Sequence, residues 1–141
     1  MCSYSAINGA PSCANSLLLN DVLRTAWRQP DALVVTDCKA VQNLRGPPVQ
    51  APSDAAAAAM ALMNGTDIEL GSELFLGSLE AAVRQGLASE ARVGEAVRRW
   101  LLPQMRAGRF DAPGPGNPHA GLTTAALNSS AHQQVLEAAS K

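Results

Sequence analysis

Charged and aromatic residues are scarce in this sequence. Asp, Glu, Lys and Arg make up 16% of the 141 residues and nearly cancel, leaving a formal net charge of −1. This balance offers no electrostatic attraction for nucleic acids or anionic membranes, so neither is an expected partner. Aromatic residues make up 4%, and much of the 47% apolar fraction is alanine, so we expect little core volume per residue. The apolar fraction is still too high for disorder and predicts a soluble folded domain.

Signals for secretion, membrane insertion and cofactor binding are also missing. The sequence from Met1 has no basic start followed by a long apolar stretch, and the apolar triplet 17–19 is far too short to span a bilayer. We therefore expect no leader and no membrane span in this chain, and its location stays open. The glycines form neither a G-x-G-x-x-G pattern nor a phosphate-binding loop, so no nucleotide or other cofactor is expected.

The three cysteines, Cys2, Cys13 and Cys38, include no C-x-x-C pair. Their number and spacing indicate neither a zinc site nor a complete disulfide framework, so no metal is expected. In an oxidising compartment Cys2 and Cys13 can form one disulfide, whereas in a reducing compartment all three remain free thiols. The residues alone leave both alternatives open.

Helical and strand patterns alternate along the first hundred residues. Apolar residues recur at helical spacing in segments that predict helices over 17–27, 55–63, 78–85 and 89–106. Ser53 and Asp54 are expected to cap the second helix, and Pro103 to kink or shorten the fourth. Runs typical of strands cover 32–36 and 66–70. This order predicts an α/β fold with a parallel sheet, in which ligands bind at the C-terminal ends of the strands.

Asp37 is the leading catalytic candidate from the residues alone. It follows the apolar run 32–36, so its carboxylate is expected at the mouth of the sheet and partly desolvated. The alternative is a structural role, as the cap of a turn or the partner of Lys39. Asp67 is expected at a second strand end and on the same face as Glu69, with structural ion pairing as the favoured role of both.

Other polar residues give weaker signals. His119 and His132 lie far from any serine in a triad-like context, so neither is a catalytic candidate. The late arginines are interleaved with apolar residues and are interpreted as a solvated helix face. They are Arg84, Arg92, Arg98, Arg99, Arg106 and Arg109. The Pro- and Gly-rich segment 111–130 predicts a linker, and 131–141 predicts a helical start of something further.

Several motifs occur together and in a fixed order. They are M-C-S-Y-S-A-I-N-G-A-P-S-C-A-N at 1–15, L-N-D-V-L-R at 19–24, V-V-T-D-C at 34–38, A-L-M-N-G-T-D-I-E at 61–69, E-A-V-R-R at 95–99, G-R-F-D at 108–111 and H-Q-Q-V-L-E-A-A at 132–139. With these motifs the chain resembles the β-xylosidase and α-L-arabinofuranosidase branch of glycoside hydrolase family 3, over nearly its whole length.

The resemblance implies a partial (β/α)8 TIM barrel. Residues 1–110 correspond to the C-terminal portion of the barrel domain, its last two to three β/α units with a helical extension. Residues 111–130 correspond to the linker, and 131–141 to the start of a truncated α/β sandwich domain. The remaining parts of the parent chain are then expected as partners, because a partial barrel leaves open strand edges.

The resemblance also implies roles for particular residues. Asp37 matches the catalytic nucleophile at the end of a late barrel strand. Met1 and Tyr4 match the residues that line the pocket for the non-reducing sugar, and Tyr4 is expected beside Asp37. Cys38 stands where the family's glucosidases usually have a tryptophan, and a cysteine there is typical of the pentosidase branch. Relatives are often secreted or vacuolar.

The implied activity is retaining hydrolysis of β-xylosides, such as xylan or arabinoxylan oligosaccharides. The family's acid/base lies in a region that does not match this chain, so the isolated chain is expected to be inactive. One alternative is a non-catalytic remnant that binds sugar or a partner chain. Two others are β-glucosidase-type specificity and a small doubly wound binding domain with its ligand above Asp37 and Asp67.

Overall fold

The computed structural model describes residues 1–112, 114 and 121–141. The chain divides into two compact units, Met1–Pro103 and Gln104–Lys141. The first unit contains the predicted alternation of strands and helices, and it holds every candidate site residue named above.

Short strands and helices follow one another in the first unit. The strands are β1 (Ala6–Ile7), β2 (Ala10–Pro11), β3 (Val35–Cys38) and β4 (Ile68–Leu70). The α-helices are α1 (Asp54–Met63), α2 (Leu74–Arg84) and α3 (Glu90–Arg106), the last of which contributes residues to both units. A π-helix covers Leu17–Ala26, and 3-10 helices cover Ser12–Ala14 and Gln42–Arg45.

The sheet that carries Asp37 is parallel. Strands β3 and β4 pair with Val35 opposite Ile68 and Cys38 opposite Leu70, and α1 lies in the crossover between them. On the other side of β3, Cys2 forms a parallel bridge to Thr36. Three adjacent segments therefore run in one direction, as the strand-helix alternation predicts.

Both strands begin at other residues than predicted and β3 also ends at another residue, which changes where Asp37 and Asp67 lie. Strand β3 begins at Val35 and includes Asp37. It continues past the apolar run 32–36 because the Asp37 and Lys39 N–H groups donate to the Cys2 and Leu70 oxygens. Strand β4 begins at Ile68, so Asp67 precedes that strand. The prediction that Asp67 lies at a C-terminal strand end is therefore wrong.

Alanine dominates the core around α1. Ala57, Ala58, Ala61 and Leu62 are fully buried, and α1 packs against α2. The small side chains let the elements approach closely while adding little apolar area each. Ser53 caps α1 as predicted, since its hydroxyl oxygen accepts the Ala56 N–H at 3.1 Å.

One helix begins before its predicted start, and another runs through a proline to its predicted end. Helix α2 begins four residues earlier than predicted, because the Glu69 carboxylate accepts the backbone N–H of Phe75 at 2.6 Å and satisfies its first turn. Helix α3 includes Pro103 and continues to Arg106. The proline lies in the last turn of the helix, so only a few residues follow the position that lacks an N–H.

The second unit contains a 3-10 turn at Thr124–Ala126 and helix α4 (Ser130–Ala139). Ser129 caps α4 by accepting the His132 N–H at 3.3 Å. Part of the predicted linker 111–130 lies outside the described residues, and His119 lies in that part. Within the described ranges, no helix is both long and apolar enough to cross a membrane.

Candidate active site

Asp37 is held by backbone pairing on both sides of β3. Its N–H donates to the Cys2 carbonyl oxygen at 2.8 Å, and the Cys2 N–H donates to the Val35 oxygen at 2.9 Å. Toward β4, the Lys39 N–H donates to the Leu70 oxygen at 2.8 Å, and the Leu70 N–H donates to the Thr36 hydroxyl at 2.9 Å. The main chain around Asp37 therefore has little freedom to shift.

The side chain of Asp37 is half-buried and is oriented by its own strand. The Cys38 N–H donates to Asp37 Oδ1 at 2.7 Å. That contact directs the carboxylate, because a charge-assisted hydrogen bond of this length is among the stronger ones in proteins. The second oxygen, Oδ2, is left for other contacts at the mouth of the sheet.

Tyr4 lies beside this carboxylate. Its hydroxyl donates to the Cys38 carbonyl oxygen at 2.7 Å. The pKa of Tyr4 is raised above its ordinary value, first by desolvation of the hydroxyl and further by the nearby Asp37 carboxylate. The Cys38 backbone therefore contacts Asp37 through its N–H and Tyr4 through its carbonyl oxygen. The Cys38 thiol is free and exposed.

A disulfide anchors the segment that carries Tyr4. Cys2 and Cys13 are bonded, which is one of the two alternatives that the cysteine pattern leaves open. The Ser12 N–H donates to the Ser5 oxygen at 2.9 Å, and the buried Thr66 hydroxyl donates to the Cys13 oxygen at 2.8 Å. The segment is therefore fixed at both of its ends, to β3 and to the turn before β4.

Met1 lies in different surroundings from Tyr4. It is 82% exposed and lines an apolar cavity together with Leu18, Trp27 and Leu33. Tyr4 instead lines a small cavity of about 70 Å³ between the β1–β2 hairpin and the loop after β3. The structure thus brings Tyr4 and Cys38 to Asp37, and it places Met1 along another wall.

Glu69 comes from the strand next to Asp37, but its carboxylate is committed elsewhere. It accepts the hydroxyl hydrogen of Ser72 and the backbone N–H of Phe75. Both contacts stabilise the turn into α2. The predicted structural role of Glu69 therefore takes the form of a helix cap.

Asp67 is the centre of a buried ion cluster. Its side chain is fully buried, and three arginine side chains contact it: Arg24 at 2.7 Å, Arg92 at 2.8 Å and Arg99 at 3.3 Å. The interpretation of Arg92 and Arg99 as a solvated face is wrong, because both side chains are only 11% exposed. Burial lowers the pKa of the Arg24 guanidinium, while the negative charge of Asp67 opposes that shift.

The structural ion pairing predicted for Asp67 is confirmed, but sequence reasoning missed its three partners. Its arginines lie 43, 25 and 32 residues from Asp67, and local periodicity carries no information at that distance. The cluster lies at the end of the sheet opposite to Asp37, where contacts stabilise such folds and do not carry their chemistry. Among the described residues, no group of three or more His, Cys, Asp or Glu is arranged to hold a metal ion.

Comparison with known proteins places these residues in a family. Residues 1–102 match the family model described as the Glycosyl hydrolase family 3 N terminal domain. A beta-xylosidase/alpha-L-arabinofuranosidase of Medicago sativa subsp. varia is 35% identical across the whole of this chain. The exo-1,4-beta-xylosidase xlnD of Emericella nidulans is 38% identical over 87% of it. The chain spans 18% and 15% of the lengths of these two relatives.

Solved structures give the same result. A GH3 exo-beta-xylosidase (XlnD) bound to a xylobiose aziridine probe matches 95% of this chain with a TM-score of 0.84 and 32% identity. A beta-glucosidase from Listeria innocua, bound to glucose, matches 95% with a TM-score of 0.80 and 26% identity. The chain covers 17% and 18% of these structures.

Proposed function

Because the chain belongs to glycosyl hydrolase family 3, we propose that it supplies Asp37 as the nucleophile of a retaining enzyme that cleaves β-xylosides. The observation that carries this proposal is the placement of the Asp37 carboxylate. It lies near the carboxyl end of a parallel strand, with Oδ1 held by the Cys38 N–H and the Tyr4 hydroxyl beside it. Active sites of α/β folds form at this end of their strands.

The reaction follows from that geometry. Asp37 Oδ2 attacks the anomeric carbon, a carbon–oxygen bond to the enzyme forms, and the glycosidic bond breaks with its electron pair going to the leaving oxygen. The Cys38 N–H holds Oδ1 during the attack, so the free oxygen keeps its direction. Water then releases the sugar from Asp37, and two displacements at one carbon retain its configuration.

The leaving oxygen needs a proton from a second carboxylic acid about 5 Å from the first. Glu69 stands on the neighbouring strand, but it is occupied by Ser72 and Phe75. Asp67 is buried among arginines. As the family resemblance implies, the acid/base is supplied from outside this chain, so we expect the 141-residue chain alone not to turn over a xyloside.

The architecture of the proposal is an arc of a barrel. The segment at Cys2, strand β3 and strand β4 run in parallel and correspond to the last two to three β/α units of a (β/α)8 barrel. Residues 1–110 belong to that barrel domain, 111–130 to a linker, and 131–141 to the start of a following sandwich domain. The remaining barrel strands are partners of this arc.

Specificity for a pentoside rests on Cys38. Its side chain is exposed beside Asp37, and it occupies the position where the family resemblance puts tryptophan in glucosidases. By the same resemblance, a cysteine at this position is typical of the pentosidase branch. Tyr4 is the proposed sugar contact beside Asp37, and Met1 is proposed to contact the sugar from a separate wall, since it lines another cavity. β-Glucosidase-type specificity is the second candidate, favoured by the likeness to solved beta-glucosidases.

A chimera tests this function. The matched region of the Emericella nidulans exo-1,4-beta-xylosidase is replaced by this chain, and hydrolysis of 4-nitrophenyl β-xyloside is measured. We expect activity that Asp37→Ala abolishes and that azide restores with formation of α-xylosyl azide, since azide enters from the face that the carboxylate has left. The control is Asp54→Ala, at an exposed aspartate paired with Arg45.

The outcomes separate the alternatives. Full activity of the Asp37→Ala chimera refutes the nucleophile assignment. A folded chimera without any activity favours the non-catalytic remnant that binds sugar or a partner. Faster cleavage of a β-glucoside than of a β-xyloside favours the second candidate, and Cys38→Trp in the same chimera tests whether this position sets the preference.

A further inference from the structure

Gly71 packs directly on the residue that follows Asp37. It lies in the turn after β4 with φ of +73°, a conformation that side chains rarely adopt. A Cβ added at Gly71 would lie 2.7 Å from Cys38 Cβ, 3.0 Å from Cys38 Cα and 3.2 Å from Cys38 Sγ. Two of these contacts involve atoms that cannot rotate away, so a methyl group here must change how the Gly71 turn and the Cys38 backbone lie against each other.

Both polar contacts of the site pass through that backbone. The Cys38 N–H holds Asp37 Oδ1 at 2.7 Å, and the Cys38 carbonyl oxygen accepts the Tyr4 hydroxyl at 2.7 Å. The next residue, Lys39, is tied to the Gly71 turn because its N–H donates to the Leu70 oxygen at 2.8 Å. A shift of Cys38 therefore changes the carboxylate and the phenol together.

We propose that Gly71 is a positioning residue for the nucleophile: its missing side chain lets the turn after β4 hold the Cys38 peptide, and that peptide orients Asp37 and Tyr4. The catalytic meaning of this arrangement rests on the proposed function. The positioning of the Cys38 peptide by Gly71 does not depend on that function, because it concerns packing and hydrogen bonds within the chain.

The chain contains a matched control for backbone strain. Gly86 has φ of +71°, nearly the value of Gly71, and beyond its two chain neighbours no heavy atom of the described residues lies within 4 Å of a Cβ built there. Alanine at either position meets the same cost of a left-handed conformation. Only alanine at Gly71 adds the contact with Cys38, so the difference between the two variants isolates that contact.

Tyr4 provides a direct readout, since it is the single tyrosine of the sequence. Ultraviolet absorbance therefore follows its ionisation without interference from another phenol. We expect Gly71→Ala to move the Tyr4 pKa down toward its ordinary value, because a displaced Cys38 carbonyl oxygen no longer holds the phenol in its desolvated place beside Asp37. Gly86→Ala should titrate like the parent chain.

Hydrogen exchange supplies a second readout. The Lys39 amide should exchange faster in Gly71→Ala than in Gly86→Ala by about fivefold, the factor for roughly 1 kcal/mol of local strain. A general loss of stability alone would leave the Tyr4 titration of the folded chain unchanged. An unchanged Tyr4 titration and an unchanged Lys39 exchange in folded Gly71→Ala overturn the proposal.

A rescue variant covers the case in which Gly71→Ala does not fold. Gly71→Ala combined with Cys38→Gly removes the Cβ and Sγ that the new methyl meets and retains the Cys38 peptide. We expect this double variant to fold and to bring the Tyr4 titration back toward that of the parent. Failure to fold, or a Tyr4 pKa that stays low, refutes the proposal. Neither measurement uses glycosidase activity, so its result is separate from that of the proposed function.

Discussion

Asp67→Asn tests the buried ion cluster most sharply. The carboxylate of Asp67 is fully buried and accepts four hydrogen bonds: from Arg24 at 2.7 Å, Arg92 at 2.8 Å, Arg99 at 3.3 Å and the Val34 N–H at 3.0 Å. An asparagine keeps the shape but removes the charge. It also turns one acceptor oxygen into an NH₂ donor that must face another donor.

The expected magnitude follows from what remains buried. The side chains of Arg24, Arg92 and Arg99 are 8%, 11% and 11% exposed, so their charges lose a shared counter-ion without gaining water. Removing one partner of a buried pair costs about 3–5 kcal/mol. A domain of this size is stable by about 5–15 kcal/mol in total. Asp67→Asn should therefore remove about a fifth or more of the free energy of unfolding.

Urea unfolding followed by circular dichroism measures this loss. The control is Glu80→Gln, which makes the same charge-to-amide change in an exposed i,i+4 pair with Arg84. That change should cost about 0.3–0.5 kcal/mol, because water screens the pair. Arg92→Met should cost less than Asp67→Asn, since Asp67 then keeps two guanidinium partners. Equal losses for Asp67→Asn and Glu80→Gln would refute the reasoning.

Three further predictions concern other parts of the first unit. Asp37→Asn should lower the pKa of Tyr4, because the negative charge that contributes to raising it is removed, and absorbance titration of the single tyrosine measures this. An unmoved titration would place Tyr4 away from Asp37. Ser53→Ala should cost about 1 kcal/mol in urea unfolding through the lost cap of α1, whereas Ser53→Thr, which keeps a hydroxyl, should cost less. Reduction of the Cys2–Cys13 disulfide should lower the free energy of unfolding by about 3 kcal/mol for a loop of this length, and an unchanged urea midpoint in the reduced chain would contradict this.

The parts of the fold that depend on near neighbours were predictable from sequence. Ser53 and the alanines after it mark the start of α1, and the apolar run before Asp37 marks a strand. The start of α2 was missed because its first turn is satisfied by Glu69, a residue of the preceding strand. Strand β3 extends past the apolar run because Cys2 and Leu70, distant in sequence, supply its hydrogen bonds.

Some residues of the candidate site were likewise predictable from near neighbours in the sequence, and others were not. Asp37 was identified from its position after a buried strand, and its link to Cys38 is a contact between adjacent residues. Tyr4 and Cys38 were named through the family resemblance, and the structure adds how they meet, through the Cys38 carbonyl oxygen. Gly71 gave no signal in the sequence, because the atoms that it makes room for lie 33 positions away.

The sequence by itself determined the alternation of strands and helices, the alanine-rich core and the prominence of Asp37, since each depends on side chains within a few positions of one another. Only the tertiary structure decided that Asp67 gathers three arginines and that Gly71 supports the Cys38 peptide. The contact of Gly71 with Cys38 joins residues brought together by the β3–α1–β4 crossover, and the arginines around Asp67 come from the π-helix and from α3. Their energies come from burial and close approach, which exist only once the chain has folded.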